Sequence, residues 1–469
     1  ARNGYAGNLS TSPNLVDIGS VATSAGLRQF SSGSGPEAVF VRATQQVPAS
    51  LIAGGIFAGQ VTLTAEAVAL ADPSLVSFGA GSFAVELNSE DSTLLNGLLG
   101  QMLGSSLNLG VLTYRNIAGT HVNLQDMLEV SQQAGTYREL LDSQILLGDL
   151  LQLYADAASQ SGAADIQAVA AMEAIAGASI RNVSIRLRDV VAVTTPDENA
   201  AATTALNALG LITTSAMIAH GANAMTLPLG VNVSGITSIN AIVIVEEPPQ
   251  MVIGPASGED GTVCTTMRTA QVRARVPVLV SIPLLARIDL SLNVEVAQGR
   301  ADLRSINVGD DLTEVGIEAY PGLAAITLTR TGSTDPARIS TLSLPLVPSI
   351  PIADISMNLP LQPSGSQVLE FEVEHPVSTH LPQVMSVASP LGNSLQNTLS
   401  QPGAISVTVL SIVNLGLVNT VVSTVISPLL GEIGRVLLDP LFRLLGIRLG
   451  GMDVMLNGLH YRQARALVI

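Results

Sequence analysis

A strict two-residue alternation of apolar and polar side chains constrains the fold of this chain more than any other feature. In residues 272–276 valine and alanine alternate with arginine, and in residues 288–295 isoleucine, leucine and valine alternate with polar residues. Successive side chains of a strand point to opposite faces of its sheet, so such runs bury one face and expose the other. We therefore predict a half-solvated antiparallel sheet over residues 268–296, with Arg268, Arg273 and Arg275 projecting from one face toward carboxylates.

Other segments show strand or helix periodicity. Strand-like runs occupy residues 37–71, 181–194, 227–245, 302–308, 315–330, 339–346, 368–374 and 452–469. Helical spacing begins behind an N-cap at Asp91 or Ser92, and Thr136 with Glu139 predicts a capping box and a second helix that extends to Tyr154. Further helices are predicted over residues 163–176, 199–220 and 410–445.

These elements predict an α+β fold, an antiparallel β-rich body with inserted helical segments. The predicted divisions are a β segment over residues 1–90, a helical insertion over 91–178, and a β-rich body over 179–469. The last division contains the helices near 199–220 and 410–445. The final strand is expected to complete a sheet formed earlier in the chain.

Charge composition excludes several kinds of chemistry. All 21 basic residues are arginine, and with 37 Asp and Glu residues the net charge is −16. Without lysine the chain has no phosphate-loop lysine and no Schiff-base nucleophile. A polyanion would be repelled, so we expect no nucleic acid among the partners.

The sequence contains one cysteine and one long apolar stretch. Cys264 is the single cysteine, which we expect to be a small, semi-buried residue. The stretch 405–430 is long enough to cross a bilayer, but Asn414 and Asn419 would place amide groups in hydrocarbon, so a buried helix is favoured. Any export signal or membrane anchor is expected upstream of Ala1, outside this chain.

Two groups of residues could hold a metal ion. His375 and His380 lie near Glu372, although Pro376 prevents a helix from bringing the two imidazoles together. The weak metal candidates also include Asp310, Asp311 and Glu314, which could offer carboxylate oxygens to calcium without the spacing of an EF-hand loop. No cofactor is otherwise expected, and no nucleophile or metalloprotease motif is present, so we predict a protein that is not an enzyme.

A series of short segments, in the same order, resembles the extracytoplasmic region of TadG-like proteins of tight-adherence (Tad/Flp) pilus-assembly systems. The similar segments are Ala1–Tyr5, Val41–Ala69, Gly135–Gln152, Glu246–Gln250, Arg268–Arg273 and Leu437–Leu456. Proteins of this family are envelope proteins with an exported domain that follows an N-terminal hydrophobic helix. The resemblance implies a structural role at the cell surface, in the extracellular space or in the periplasm.

The expected function is therefore a non-enzymatic, extracytoplasmic structural protein that assembles into, or associates with, a pilus or surface fibre. Its expected partners are further copies of itself, as a homo-polymer, or pilus components. Two alternatives stay open: a monomeric periplasmic accessory factor that binds pilins, and a metal-dependent hydrolase that would use His375, His380 and Glu372.

Overall fold

The computed structural model describes most of the chain. The described residues are 8–9, 11–24, 27–33, 38–48, 60–71, 74–81, 87–131, 134–162, 164–195, 201–233, 236–256, 262–282, 286–309, 311–341, 349–361, 365–387, 405–410, 415–448, 451–460 and 464–467. The chain divides into two compact units. The N-terminal unit comprises Ala1–Leu75 and His460–Ile469, and the larger unit comprises Val76–Leu459.

The N-terminal unit contains an antiparallel sheet with strand order β2-β1-β3-β4-β27. Its strands are β1 (Leu15–Ser24), β2 (Leu27–Ser32), β3 (Ala38–Pro48), β4 (Gln60–Ala71) and β27 (Ala464–Leu467). Strands β3 and β4 are the two expected between residues 37 and 71. Strand β27 pairs with the end of β4, so the C-terminal segment does complete a sheet that begins early in the chain.

In the larger unit, the most extensive sheet has strand order β11-β12-β15-β16-β19-β21-β20, and β24 pairs with β21. Its strands are β11 (Met225–Val233), β12 (Ile236–Glu247), β15 (Gln271–Ile282), β16 (Ala286–Val296), β19 (Ala324–Thr329), β20 (Ala337–Ser340), β21 (Pro351–Leu361) and β24 (Ser406–Val409). The predicted alternation is confirmed, since Val272, Ala274 and Val276 are buried and Arg273 and Arg275 are exposed.

Two further sheets pack face to face. The inner sheet, β23-β26-β5-β13-β9, also pairs β25 with β26, and the outer sheet has the order β14-β17-β18-β22. Their strands are β5 (Leu75–Ala80), β9 (Val191–Val193), β13 (Met251–Gly254), β14 (Thr266–Arg268), β17 (Arg300–Val308), β18 (Leu312–Tyr320), β22 (Gln367–Glu374), β23 (Gln383–Val387), β25 (Ile447–Arg448) and β26 (Gly451–His460). Phe78 and Val454 of the inner sheet and Phe371 of the outer sheet share one fully buried core, which holds the two sheets together.

Helices and two short strand pairs make up the remaining elements described in the larger unit. The helices are α1 (Ser89–Leu103), α2 (Val111–Ala118), α3 (Leu124–Val130), α4 (Tyr137–Asp142), α5 (Leu147–Gln160), α6 (Ile166–Ala178), α7 (Leu187–Val190), α8 (Ala208–His220), α9 (Leu415–Val421), α10 (Ser427–Ile433) and α11 (Asp439–Leu445). The short pairs join β6 (His121–Val122) to β10 (Leu206–Asn207) and β7 (Gln144–Leu146) to β8 (Ser184–Arg186). Antiparallel sheets with inserted helices confirm the α+β fold class.

The C-terminal helical stretch is continuous because π-helical turns connect its α-helical segments. The turns Val422–Ile426 and Gly434–Leu438 each end shortly before a proline, Pro428 or Pro440. Proline cannot donate the ordinary i to i−4 hydrogen bond and its ring crowds that carbonyl, and a wider turn accommodates both effects. The helical stretch Val418–Leu445 is long and apolar enough to cross a membrane, but 56% of its most apolar window is buried within the protein, as expected for a core helix.

Helix boundaries correct several sequence predictions. The N-cap of α1 is Asn88, and Asp91 is its capping-box partner rather than the cap. The helix expected to run from Thr136 to Tyr154 stops at Ser143, whose extended backbone leads into β7. The helix expected over 199–220 begins at Ala208, because the Asn207 side chain accepts the amide proton of Gly210 and so caps the helix at that point.

The predicted strand over residues 181–194 is also divided. Strands β8 and β9 are separated by the single helical turn α7, and β9 pairs with β13 in the inner sheet. The predicted strand over 315–330 is two strands, β18 and β19, separated at Pro321. The region 452–469 likewise contains two strands, β26 and β27.

Candidate interaction surface

One face of the N-terminal sheet carries aliphatic side chains and no charge. The register places Val16 beside Val41, Ile18 beside Val39, and Val47 beside Val61. Residues directly opposite each other in adjacent strands project to the same face. The face therefore includes residues of three strands, and we call it the apolar face, with members Val16, Ile18, Val39, Val41, Val47, Val61 and Leu63.

The apolar face is well exposed to solvent. The exposed fractions are 44% for Val16, 53% for Ile18, 46% for Val61 and 55% for Leu63. A sheet becomes stable in water when another layer covers its hydrophobic side. The described residues of the N-terminal unit include no helix that could supply such a layer. Exposed apolar surface of this kind is typical of a site that contacts another molecule.

The opposite face of the same sheet has a different composition. Arg42 Nε donates to Glu66 Oε1 across β3 and β4 at 2.7 Å. The Arg42 guanidinium lies over the Phe40 ring at 5.6 Å from its centroid, and the Phe30 and Phe40 rings stack 5.4 Å apart. The charges and aromatic rings on this side thus contact one another. The two faces differ in chemistry because successive side chains of each strand point to opposite faces of the sheet. Substitutions at two neighbouring positions of β4 therefore test the two faces separately.

The metal candidates lie mainly at one end of the outer sheet. The His375 amide donates to the Asp311 carbonyl at 3.0 Å, and His375 Nε2 lies 3.0 Å from Thr313 Oγ1. Glu314 of β18 lies opposite Glu372 of β22. His380 ends a separate 3-10 turn, Val377–Thr379, and its amide donates to Val377.

The structure therefore brings the backbones of Asp311 and His375 together without assembling a metal site among the residues it describes. No set of three or more His, Cys, Asp or Glu side chains in that part of the chain is arranged to hold an ion. Asp310 lies outside the described residues. Calcium or another metal at these positions stays a prediction.

Two other sequence predictions concern single side chains. Arg273 does face carboxylates: its guanidinium lies 3.2 Å from Glu246 and 3.8 Å from Glu295. The prediction is wrong for Arg275, whose Nε donates to the amide oxygen of Asn293 at 3.2 Å, and Arg268 lies on β14 of the outer sheet rather than beside Arg273. The prediction for Cys264 is wrong, because its thiol is exposed. Cys264 lies in the loop before β14, where no strand pairs with it.

The strands that form the apolar face lie mostly within a segment that matches a known protein family. Residues 1–69 match the family described as Tad-like Flp pilus-assembly. This N-terminal segment is therefore related to the Tad pilus-assembly family. The match supports a pilus-related role and an association with the cell envelope or surface, whereas membership of the TadG-like group in particular stays a prediction.

A second match covers residues 91–218, which correspond to a domain of unknown function. The matched residues run from the first turn of α1 almost to the end of α8. No curated protein and no solved structure gives a significant match.

Sequence reasoning found only part of the apolar face. The alternation of side chains predicted β3 and β4, but β1 was not predicted. Its contribution of Val16 and Ile18 depends on a long-range register that no local pattern specifies. The signal that could have found it is the repeat of valine and isoleucine at alternate positions just before the predicted hairpin.

Proposed function

We propose that this Tad-related protein is a non-enzymatic, extracytoplasmic structural component that joins a pilus or surface fibre by self-association through its apolar face. One observation carries the proposal: the segment that matches the pilus-assembly family is the segment that forms the exposed aliphatic side of the N-terminal sheet. The partner in this proposal is a second copy of the chain.

The charge of the chain favours self-association through the apolar face over contact elsewhere on its surface. The whole chain carries a formal charge of −16, so two copies repel each other over most possible contacts. The apolar face has no ionisable side chain among its members. Contact there removes aliphatic surface from water, at about 25 cal/mol per Å², without bringing carboxylates together.

Substitution on alternate residues of β4 tests the proposal. Leu63 belongs to the apolar face, and Thr62 is an exposed residue on the opposite face of the same strand. We expect Leu63→Asp to weaken self-association at least tenfold, because a carboxylate would have to lose its hydration in the contact. Thr62→Asp adds the same charge to the same strand and should leave association unchanged.

The measurement is size-exclusion light scattering over a wide range of protein concentration, with negative-stain electron microscopy of the concentrated samples. Oligomers or fibres formed by wild type and by Thr62→Asp, and lost in Leu63→Asp, would support the proposal. A wild-type protein that is monomeric at every concentration and forms no fibre would refute self-association. If that monomer then binds purified pilin, the role of accessory factor replaces the proposed one.

A further inference from the structure

Strand β4 of the N-terminal sheet is paired along nearly its whole length on one side only. On that side it pairs with β3 from Gln60 to Leu70, and the register runs without a shift. On the other side its partner among the described residues is β27, which reaches Ala69 and extends no further toward Gln60. The segment Gln60–Glu66 is exposed at every residue. At about 3.3 Å per residue this segment forms an open sheet edge about 23 Å long, which we call the β4 edge.

One hydrogen bond shows which backbone groups point to the β4 edge. The Thr44 amide of β3 donates to Asn14 Oδ1, on the side of β1, at 2.7 Å. Thr44 therefore directs its backbone groups away from β4. In an antiparallel pair, residues directly opposite each other either bond to each other or both point away from each other. Thr64 lies opposite Thr44, so the amide and carbonyl of Thr64 point to the open side.

A second bond in the same sheet gives the same alternation. The Gly33 amide donates to the Ile18 carbonyl at 3.2 Å, on the side of β2. Ile18 and the opposite residue, Val39, therefore point away from each other, and Val39 points toward β4. Backbone groups alternate along a strand, so the even-numbered residues of β3 point away from β4 and the even-numbered residues of β4 point to the open side. On the β4 edge these residues are Gln60, Thr62, Thr64 and Glu66.

The β4 edge lacks the features that usually protect an open edge from pairing. Proteins protect such edges with proline, bulges, very short strands or charged side chains, above all lysine. The sequence of the edge, QVTLTAE, contains no proline, glycine or lysine, and its one charge, on Glu66, is paired with Arg42 at 2.7 Å. Valine and threonine also favour strands. The outward N–H and C=O groups of such an edge are a template for a further strand.

A second copy of the same segment complements the β4 edge when the two copies run antiparallel about a two-fold axis at Leu63. Gln60 of each copy then lies opposite Glu66 of the other copy. Thr62 likewise lies opposite Thr64, and threonine pairs across strands are favourable. Both pairs consist of residues with outward backbone groups, so each pair exchanges two N–H···O bonds. No like charges lie opposite each other, whereas contacts elsewhere bring together two chains that each carry a net charge of −16.

We propose that the β4 edge pairs with the β4 edge of a second copy, so that two N-terminal sheets join into one continuous sheet. This pairing rests on the proposed function for its role and adds a second contact to it. Val61 and Leu63 of both copies lie on the same side of the joined sheet, so the apolar face continues across the contact. An interface that uses the same surface on both copies closes as a dimer. The apolar face and the β4 edge are two such surfaces, and together they give each copy two neighbours, as a fibre requires.

Variants of the full chain separate the two contacts. Thr64→Pro removes an amide proton that points away from β3, so the strand keeps its own partner but loses the pairing of its edge. Because of the two-fold axis each contact loses two donors, and we expect association through the edge to weaken at least tenfold. Thr64→Ala keeps the amide proton and is the matched control. Ile18→Asp alters the apolar face on β1, away from the edge, whereas Leu63 lies at the axis of the edge contact and would affect both.

Size-exclusion light scattering and electron microscopy give the size of the assemblies. We expect fibres from wild type and Thr64→Ala, and dimers from Thr64→Pro, which keeps the contact through the apolar face. Ile18→Asp should also stop at dimers, because it keeps the edge contact. Fibres from Thr64→Pro would overturn the edge pairing, and a wild type that stays monomeric at every concentration would overturn both contacts. Fibres from Ile18→Asp that are lost in Thr64→Pro would refute the apolar face as a contact and still support the edge.

Hydrogen exchange of single amides in the wild-type assembly tests the pairing without a variant, and it decides the question if Thr64→Pro fails to fold. Exchange at the outward amides of Thr62, Thr64 and Glu66 should be at least tenfold slower in the assembly than in the dilute monomer. The amides of Leu63 and Ala65 face β3 in both states and should not change. Equal slowing along the whole strand, or no slowing at the outward amides, would overturn the proposal.

Discussion

The ion pair between Asp91 and Arg443 should make a large contribution to the stability of the larger unit. Arg443 Nη2 donates to Asp91 Oδ1 at 2.6 Å, which links the start of α1 to α11 across 352 residues of sequence. The Asp91 side chain is 2% exposed and the Arg443 side chain 31% exposed. Asp91 also accepts from the Asn88 amide at 2.7 Å, as the reciprocal bond of the capping box.

The expected loss in Asp91→Ala follows from these two contacts. Removal of a helix-capping hydrogen bond costs about 1 kcal/mol. Loss of a hydrogen bond between charged groups costs about 1.5–3 kcal/mol, and Arg443 keeps a partly buried charge without this partner. We therefore expect the free energy of unfolding to fall by about 3 kcal/mol. Asp91→Asn keeps the shape and an acceptor oxygen, so its loss should be about half as large.

Urea unfolding followed by circular dichroism measures these losses. The control is Asp189→Ala, which breaks a bond from Arg186 at 3.0 Å between side chains that are 51% and 38% exposed. That variant should lose less than about 1 kcal/mol. A loss in Asp91→Ala no larger than in Asp189→Ala would refute the reasoning, because it would mean that burial does not strengthen the pair. A double variant with Arg443→Met then measures the coupling between the two residues.

Three further changes test other parts of the fold. Phe371→Ala removes a fully buried ring between the inner and outer sheets and should cost about 3–5 kcal/mol in urea unfolding. Arg435→Gln removes the hydrogen bonds that lower the pKa of Glu432, so its stability loss should be full near pH 7 and disappear as the pH falls through the folded-state pKa of Glu432. A pH-independent loss would contradict that assignment. Gly104→Ala should cost about 1 kcal/mol or more, since φ is +81° and the new Cβ would lie 3.0 Å from Ile180; an unchanged melting temperature would count against it.

Sequence patterns predicted correctly those strands and helix ends that are specified by residues close together in the chain. The alternation of apolar and polar residues was sufficient to predict β15 and β16, because each strand is buried on one side and solvated on the other. The cap at Thr136 was also correct: its hydroxyl accepts from the Glu139 amide at 3.2 Å. The Glu139 carboxylate, however, accepts from Gly135 rather than from the cap residue itself.

Predictions failed where tertiary structure determines the outcome. Helix α8 is buried on almost every side, so its sequence carries no amphipathic stripe to mark where it begins. The short strand β13 depends on partners far along the chain, and its four residues give no periodicity.

The chemistry of the apolar face suits association between identical copies of the chain. The apolar face offers aliphatic area without charge, which suits a large contact that repeats between identical copies. The face lies in the N-terminal unit and within residues 1–69, which match the pilus-assembly family. Leu63→Asp should therefore weaken association and leave the stability of the larger unit intact, because Leu63 does not belong to that unit.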